Sequence, residues 1–348
     1  MRTIEWESTT QRLKMVDQRV LPSEFKHIYL SNYQAVTDSI RNMAVRGAPA
    51  IGVTAAYGMA LAAQKSSSDS IESVRGELVK AAKILESARP TAVNLPWALK
   101  RMLGVAGRNY SSLQDLQQAM LQEAHDMADE DVAVNKRISR NGAALIKDGD
   151  TIIHHCNTGA LATVDYGTAL GVIRMAHEQG KNIHVLVDET RPRLQGARLT
   201  AWELMQYGIS FDIISDNAAG YFLRNGKVNR VIFGADRVAR NGDVANKIGS
   251  YMLALAANDN DVPVYSAFPF STIDIELASG DLIPIEERIQ DEVLDLKLHD
   301  RKVTPDGASG RNPAFDVTPH RLISGLITEQ GIITPPFEDN LIKKMGRI

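Results

Sequence analysis

TIIHHC (151–156), NIHVLVDE (182–189), SFDIISD (210–216), RVIFGAD (230–236) and VPVYSAF (262–268) are the stretches on which the fold turns. Each is a short apolar run, and they begin roughly 20 to 35 residues apart with helix-forming sequence between them. They lack the period-two alternation of a half-buried strand, so they suit strands of a parallel sheet covered on both faces by helices. The rhythm is that of successive strand-helix units, and an α/β, Rossmann-like, doubly wound parallel sheet is expected over 146–348. Gly180 follows AHEQ and Gly208 follows WELMQY, at the positions where a left-handed helix terminus favours glycine. No internal repeat, low-complexity tract or heptad pattern interrupts this phase.

Upstream, residues 1–145 read as a mostly helical N-terminal domain with a short β element, strand-like at 2–6 and again at 27–30. Helical spacing of apolar residues runs through 33–43, a small-residue helix able to pack closely occupies 53–63, and 70–88 is amphipathic. Ser66 to Ser68 mark an exposed turn. At 348 residues, two domains are the natural division.

The bulk numbers are those of an ordinary globular protein, with 44% hydrophobic and 23% charged residues. A net charge of -3 supplies no broad positive field for nucleic acid, while leaving room for a local phosphate site. The opening MRTIEWESTT has no apolar leader core, and Gly, Arg or Asp interrupts every apolar stretch well short of a membrane span. A cytoplasmic location with no membrane partner is expected. The single cysteine, Cys156, cannot form an internal disulfide and is either core filler or reagent.

In open α/β sheets, ligands gather beyond the carboxyl ends of the strands. There the sequence turns polar: Cys156-Asn157-Thr158-Gly159, Asp188 through Arg193, Asp216-Asn217, and Asp236-Arg237. Cys156 precedes Asn-Thr-Gly, whose backbone N–H groups can form an anion-holding nest. His154 and His155 raise the question of a metal, but neighbouring strand residues point to opposite faces and no second ligand cluster at zinc spacing accompanies them, so no metal is expected. Asp236 reads either as a structural ion pair or cap, or as a general acid or base whose carboxyl holds a proton in an apolar crevice.

Three further segments invite a phosphate. Arg46-Gly47-Ala48-Pro49-Ala50-Ile51-Gly52 lies between helical segments and combines close backbone approach with a cation. It lacks the Gly-Lys-Ser/Thr ending of a P-loop, and a tight helix-packing turn is the alternative. Asn246-Lys247 is expected to open the helix that follows, where free N–H groups favour an anion, against the alternative of a solvated lysine beside an Asn cap. Arg89-Pro90 and Gln195-Gly196 carry weaker signals.

Taken together, VRGAPAIG (45–52), ARPTAVNLPWA (88–98), HCNTGALAT (155–163), ETRPRLQGARLTAWEL (189–204) and GADRVARNGDVANKIGSY (234–251) resemble the methylthioribose-1-phosphate isomerase branch of a family. That family also contains the α, β and δ regulatory subunits of eukaryotic initiation factor 2B. The resemblance extends over almost the whole chain. It implies conversion of 5-methylthioribose 1-phosphate into 5-methylthioribulose 1-phosphate in methionine salvage, without metal or organic cofactor. By position in the matching motifs it assigns Asp236 as proton donor and Cys156 as transition-state stabiliser. Arg46, Gly47, Ala48, Arg89, Gln195, Asn246 and Lys247 match substrate-binding positions. A homodimer and a site between the two domains are further implications. The alternatives are another ribose-phosphate isomerase, such as one acting on ribose 1,5-bisphosphate, and a non-catalytic regulatory subunit.

Overall fold

The structure, a computed structural model, describes residues 1–89 and 94–345. The chain divides into two compact units, 1–136 with 158–167, and 137–157 with 168–348. These bounds differ from the expected break at 145 in two places. The first unit ends within a long helix, and it reclaims a segment that follows Cys156. The reason lies in hydrogen bonds that no local pattern announces. Thr3 N–H donates to Val164 O (2.8 Å) and Thr3 Oγ1 to Thr163 O (2.8 Å). Val164 N–H donates to Asp131 (2.8 Å).

The first unit opens with an antiparallel sheet of β1 (Ile4–Glu7), β2 (Arg12–Val16) and β3 (His27–Leu30), in that order. The central strand β2 is absent from the sequence reading. Its alternating RLKMV is too short to register except through its pairing with Ile4 to Glu7. Five helices follow: α1 (Tyr33–Arg41), α2 (Ala48–Gln64), α3 (Ile71–Glu86), α4 (Asn94–Ala106) and α5 (Leu113–Ala143). Asn32 and Ser70 cap α1 and α3 by accepting the N–H groups of Ala35 and Ser73. Helix α2 begins earlier than its small-residue core predicted, because Gly47 caps it and Pro49 fits the first turn. From Ala50 to Ala63 it is buried all round. Its alanines and glycines leave only thin walls between it and its neighbours, as a central helix requires. Trp6 stacks on Tyr57 (6.0 Å between centroids) to tie the small sheet to this core.

The second unit is built on β4 (Thr151–His155), α6 (Ala169–Glu178), β5 (His184–Asp188), α7 (Ala201–Tyr207), β6 (Ser210–Ile214), α8 (Ala219–Arg224) and β7 (Arg230–Phe233). It continues through β8 (Arg237–Ala239), β9 (Val244–Lys247), α9 (Ser250–Asn258), β10 (Val264–Ala267), β11 (Ile273–Asp274), α10 (Asp291–Leu294), β12 (Lys297–Leu298) and β13 (Arg301–Lys302). The last elements are β14 (Phe315–Thr318), β15 (Gly325–Thr328), β16 (Gly331–Ile333) and α11 (Phe337–Met345). All five quoted runs are strands of one seven-stranded sheet ordered β16-β15-β10-β7-β4-β5-β6. Every pairing in it is parallel except the edge pair β15–β16. Ile153, Leu186, Val231, Phe233, Val264 and Leu326 pack in its core. Gly180 and Gly208 end their helices at φ of 84° and 68°, as expected.

The chain leaves β4 toward β5 and β6, then crosses back to build β7, β10 and β15 on the other side. The direction of winding reverses between β4 and β7, and the crevice of a doubly wound sheet opens at such a reversal. A second sheet, β11-β8-β9-β14, stands directly after β7.

Candidate active site

Cys156 leaves β4 and Asp236 leaves β7, three residues beyond Phe233, which pairs with His155. The topology thus delivers both residues to the switch point. Cys156 has a φ of 72°, in the left-handed region that a side-chain-bearing residue enters at a cost. Three contacts hold it there. Its N–H donates to Thr190 Oγ1 (2.9 Å), its carbonyl accepts from Thr200 Oγ1 (2.7 Å), and its Sγ accepts from Gln195 Nε2 (3.3 Å). Thr190 itself sits at φ 63° and donates to Asp188 O (3.0 Å). The backbone is thus held in a strained setting by its neighbours, and the thiol is half-buried.

Gln195 is buried, and its Oε1 has no hydrogen-bond partner among the described residues. It precedes a widened π turn, Gly196–Thr200, that leads into α7. Such turns recur where a helix must re-aim side chains. Here the turn brings Thr200 back to Cys156 O and to the Asn157 amide (3.2 Å), which also donates to the buried Glu203 (2.9 Å).

Asp236 is half-buried, and its N–H donates to Ala245 O (2.9 Å). The β8–β9 hairpin therefore holds it level with Asn246. Its neighbour Arg237 makes an ion pair with Asp274 (3.6 Å). Asn246 and Lys247 belong to β9 and do not open the following helix. Helix α9 starts at Ser250 behind Gly249, and its first N–H groups are taken by Asp316 of β14, at 2.7 Å from Gly249 N and 3.1 Å from Tyr251 N. The sequence reading mistook strand for helix because VANK is short, and its pairing with β14 is remote in the chain. Lys247 Nζ donates to Ala314 O (2.6 Å) and lies 4.7 Å from the centre of the Phe315 ring.

In the first unit, Arg46, Gly47 and Ala48 stand at the start of α2. Gly47 has a φ of 92°, and a Cβ on it would fall 2.2 Å from Ala162 O, so only glycine fits this close approach. The amino end of the seventeen-residue α2 offers N–H groups and a positive dipole end to an anion. Arg89 is half-buried just past α3, whereas Pro90 through Val93 of the same motif lie outside the described residues.

Beneath Cys156 lies a buried polar cluster that sequence reasoning touched only as strand-end residues. His155 Nδ1 is 2.8 Å from Asp188 Oδ2, and His155 Nε2 is 2.9 Å from Ile248 O. Asp216 accepts the N–H groups of Thr190 and Arg191, both at 2.7 Å. Ligand atoms of His155, Asp188 and Asp216 lie within 4.8 Å of one another. Both ring nitrogens of His155 are nevertheless engaged by protein acceptors, which leaves no ring lone pair open to an ion. Burial pushes the Asp188 carboxyl up to about 6. On the other strand face, His154 donates to Ile232 O (2.8 Å), and burial pushes it down to about 4.

The winding of the sheet defines a doubly wound α/β protein that gathers polar groups at its switch point. The initiation factor 2 subunit family model matches residues 44–335, and the chain belongs to that family. A methylthioribose-1-phosphate isomerase from Acetivibrio thermocellus is 53% identical over 95% of this chain and 96% of its own length. Among solved structures, 5-methylthioribose 1-phosphate isomerase from Pyrococcus horikoshii superposes with a TM-score of 0.92 at 44% identity, covering 100% of this chain and 96% of that one. A chain described as translation initiation factor eIF-2B subunit delta from A. fulgidus gives a TM-score of 0.89 at 42% identity, over 99% of both chains.

Proposed function

We propose that this protein is an aldose-ketose isomerase that converts 5-methylthioribose 1-phosphate into 5-methylthioribulose 1-phosphate, a step of methionine salvage. The observation that supports the reading is that Cys156 and Asp236 follow the carboxyl ends of the two strands that flank the reversal of the sheet, in a chain 53% identical to a relative of that name. A sugar blocked as its 1-phosphate cannot open as a free hemiacetal does. The ring oxygen must gain a proton as its bond to C1 breaks, and Asp236 is the proton donor in this reading. Hydrogen then passes from C2 to C1 while the C2 hydroxyl loses its proton to become the ketone. The sum is redox-neutral, so it calls for no external electron carrier. Cys156 is the transition-state stabiliser, with its sulfur aimed by the Gln195 amide. Arg46, Gly47, Ala48, Arg89, Gln195, Asn246 and Lys247 bind the substrate.

The protein is further proposed to be cytoplasmic and a homodimer. No helix among the described residues is long and apolar enough to cross a membrane. Tyr221 and Met252 are 64% and 71% exposed, the kind of apolar surface a second copy covers. Light scattering on the eluted protein tests the dimer.

The purified protein should convert 5-methylthioribose 1-phosphate to the ketose, followed by NMR. Asp236→Asn should slow turnover by about 100-fold or more, the usual range for a lost general acid. Cys156→Ala should fold normally and lose at least about tenfold. Absence of ketose with the wild type, or an Asp236→Asn variant as fast as wild type, would sink the reading.

A further inference from the structure

His155 immediately precedes Cys156, is wholly buried, and has no task in the reaction as described. Its surroundings fix its proton count. The Ile248 carbonyl oxygen, 2.9 Å from Nε2, can only accept, so Nε2 carries a proton. At the other nitrogen, Nδ1 faces Asp188 Oδ2 at 2.8 Å, and that contact is a hydrogen bond only if one more proton lies between them. Imidazole is the more basic partner by about 2.5 pH units in water. The charges around the ring favour the same assignment. Asp216, and Asp316 of β14, add negative potential, and Glu189 stands behind Asp188. Burial opposes it, Lys247 of β9 interacts with Asp316, and His154 faces Ile232 as a neutral ring.

We propose that His155, given the isomerase reading above, is a positioning residue: a buried imidazolium that ties the end of β4, and with it Cys156, to the turn that carries Lys247 into α9. Asp188 holds one side of the ring and the Ile248 carbonyl holds the other. The turn approaches so closely that a Cβ on Gly249 would lie 2.8 Å from His155 Cε1. Asp316 clamps the same turn from beyond through Gly249 and Tyr251. Cys156 and Lys247 are thus kept at a fixed separation by one ring. Although burial works against the charge, the Asp188 bond and the surrounding carboxylates raise the ring above its ordinary value. It keeps its second proton through neutrality and loses it as pH rises through the raised value. One of the two bonds then fails, and the strand end and the turn are free to separate.

The test begins with full-length protein carrying ¹⁵N-histidine, with His155→Gln used to assign the signal. At about pH 7.5, about one unit above free imidazole, wild type should show two protonated ring nitrogens on His155. Asp188→Asn should show one protonated and one bare, because the Asn amide can donate to Nδ1 while a neutral ring keeps Nε2–H on Ile248. A bare nitrogen in the wild type overturns the proposal. This readout needs no substrate, so it stands apart from the isomerase reading, which fails if wild type does not turn over 5-methylthioribose 1-phosphate. With turnover in hand, wild-type kcat/KM should fall on the alkaline side. Asp188→Asn should lack that limb and exceed Asp188→Ala by about tenfold or more, since it keeps the bridge without the charge. Equal activity of the two variants, each with the wild-type alkaline limb, also overturns the proposal.

Discussion

Gly196→Ala should cripple turnover without contacting the substrate. Gly196 begins the π turn behind Gln195, and a Cβ there would lie 1.8 Å from Asp188 O and 2.9 Å from Thr190 Oγ1. Ordinary contact begins at 3.4 Å, so the two segments would have to part by about 1.6 Å. Nothing at that point can yield cheaply, because the oxygen belongs to the backbone of a central strand. The movement would fall on Thr190, which holds the Cys156 N–H, and on Gln195, which holds its sulfur at 3.3 Å. Sites of this kind tolerate about 0.5 Å, and a 1 Å misplacement costs about 100-fold. We expect kcat/KM to fall by about that factor, equivalent to about 2.7 kcal/mol of transition-state stabilisation. Overpacking should lower stability by about 1–3 kcal/mol as well. Initial rates of ketose formation and a thermal melt measure the two effects. Gly220→Ala is the control: nothing lies within 4 Å of its Cβ, and alanine in the first turn of α8 should be neutral or stabilise by up to about 1 kcal/mol. A Gly196→Ala enzyme within threefold of wild type would refute the claim that this close approach sets Cys156.

Two further outcomes test the frame around the site. Arg230→Ala strips the cationic partner from buried Asp150, to which Arg230 makes contacts of 2.6 and 2.9 Å, leaving it the Lys147 N–H (2.7 Å), and should cost about 3–5 kcal/mol in urea unfolding. Pairing the change as Arg230→Met with Asp150→Leu should recover part of that loss, because the desolvation cost leaves with both charges while the Lys147 N–H loses its acceptor. Asp243 is buried, which alone would raise its carboxyl. It is instead held below its ordinary value by the His320 N–H (2.8 Å), the Asn241 amide (2.8 Å), the Gly280 N–H (3.0 Å) and the His320 ring (2.8 Å). Its stabilisation is present above the unfolded value of about 3.9 and is lost as pH falls through the lower folded value. Asp243→Asn should be less stable than wild type at neutral pH, and the gap should close on acidification below about pH 4. A gap that persists undiminished there would show that the charge is not what matters.

The five apolar runs decided the architecture of the second unit by themselves. Strands β4, β5, β7 and β10 have no exposed face, so their signal is local and continuous and survives without knowledge of their partners, whereas β6, at the edge, buries only Ile214 and is legible through its apolar run alone. The polar residues at the ends of those runs were legible for the same reason: where burial stops, polarity begins. Cys156 and Asp236 could be picked out by position, and the family motifs supplied the candidate substrate-binding residues. Tertiary structure decided what depends on chains meeting from afar. Strand β2 exists through its pairing with β1 and β3, and the segment 158–167 joins the first unit through Thr3 and Asp131. Lys247 is a strand residue because β14 pairs with it from almost seventy positions away. The left-handed setting of Cys156 rests on Thr190, Thr200 and Gln195, whose side chains converge only once the sheet is wound. The sequence named the candidate groups for the chemistry; the hydrogen bonds that hold them in place come from residues whose sequence separation hides them.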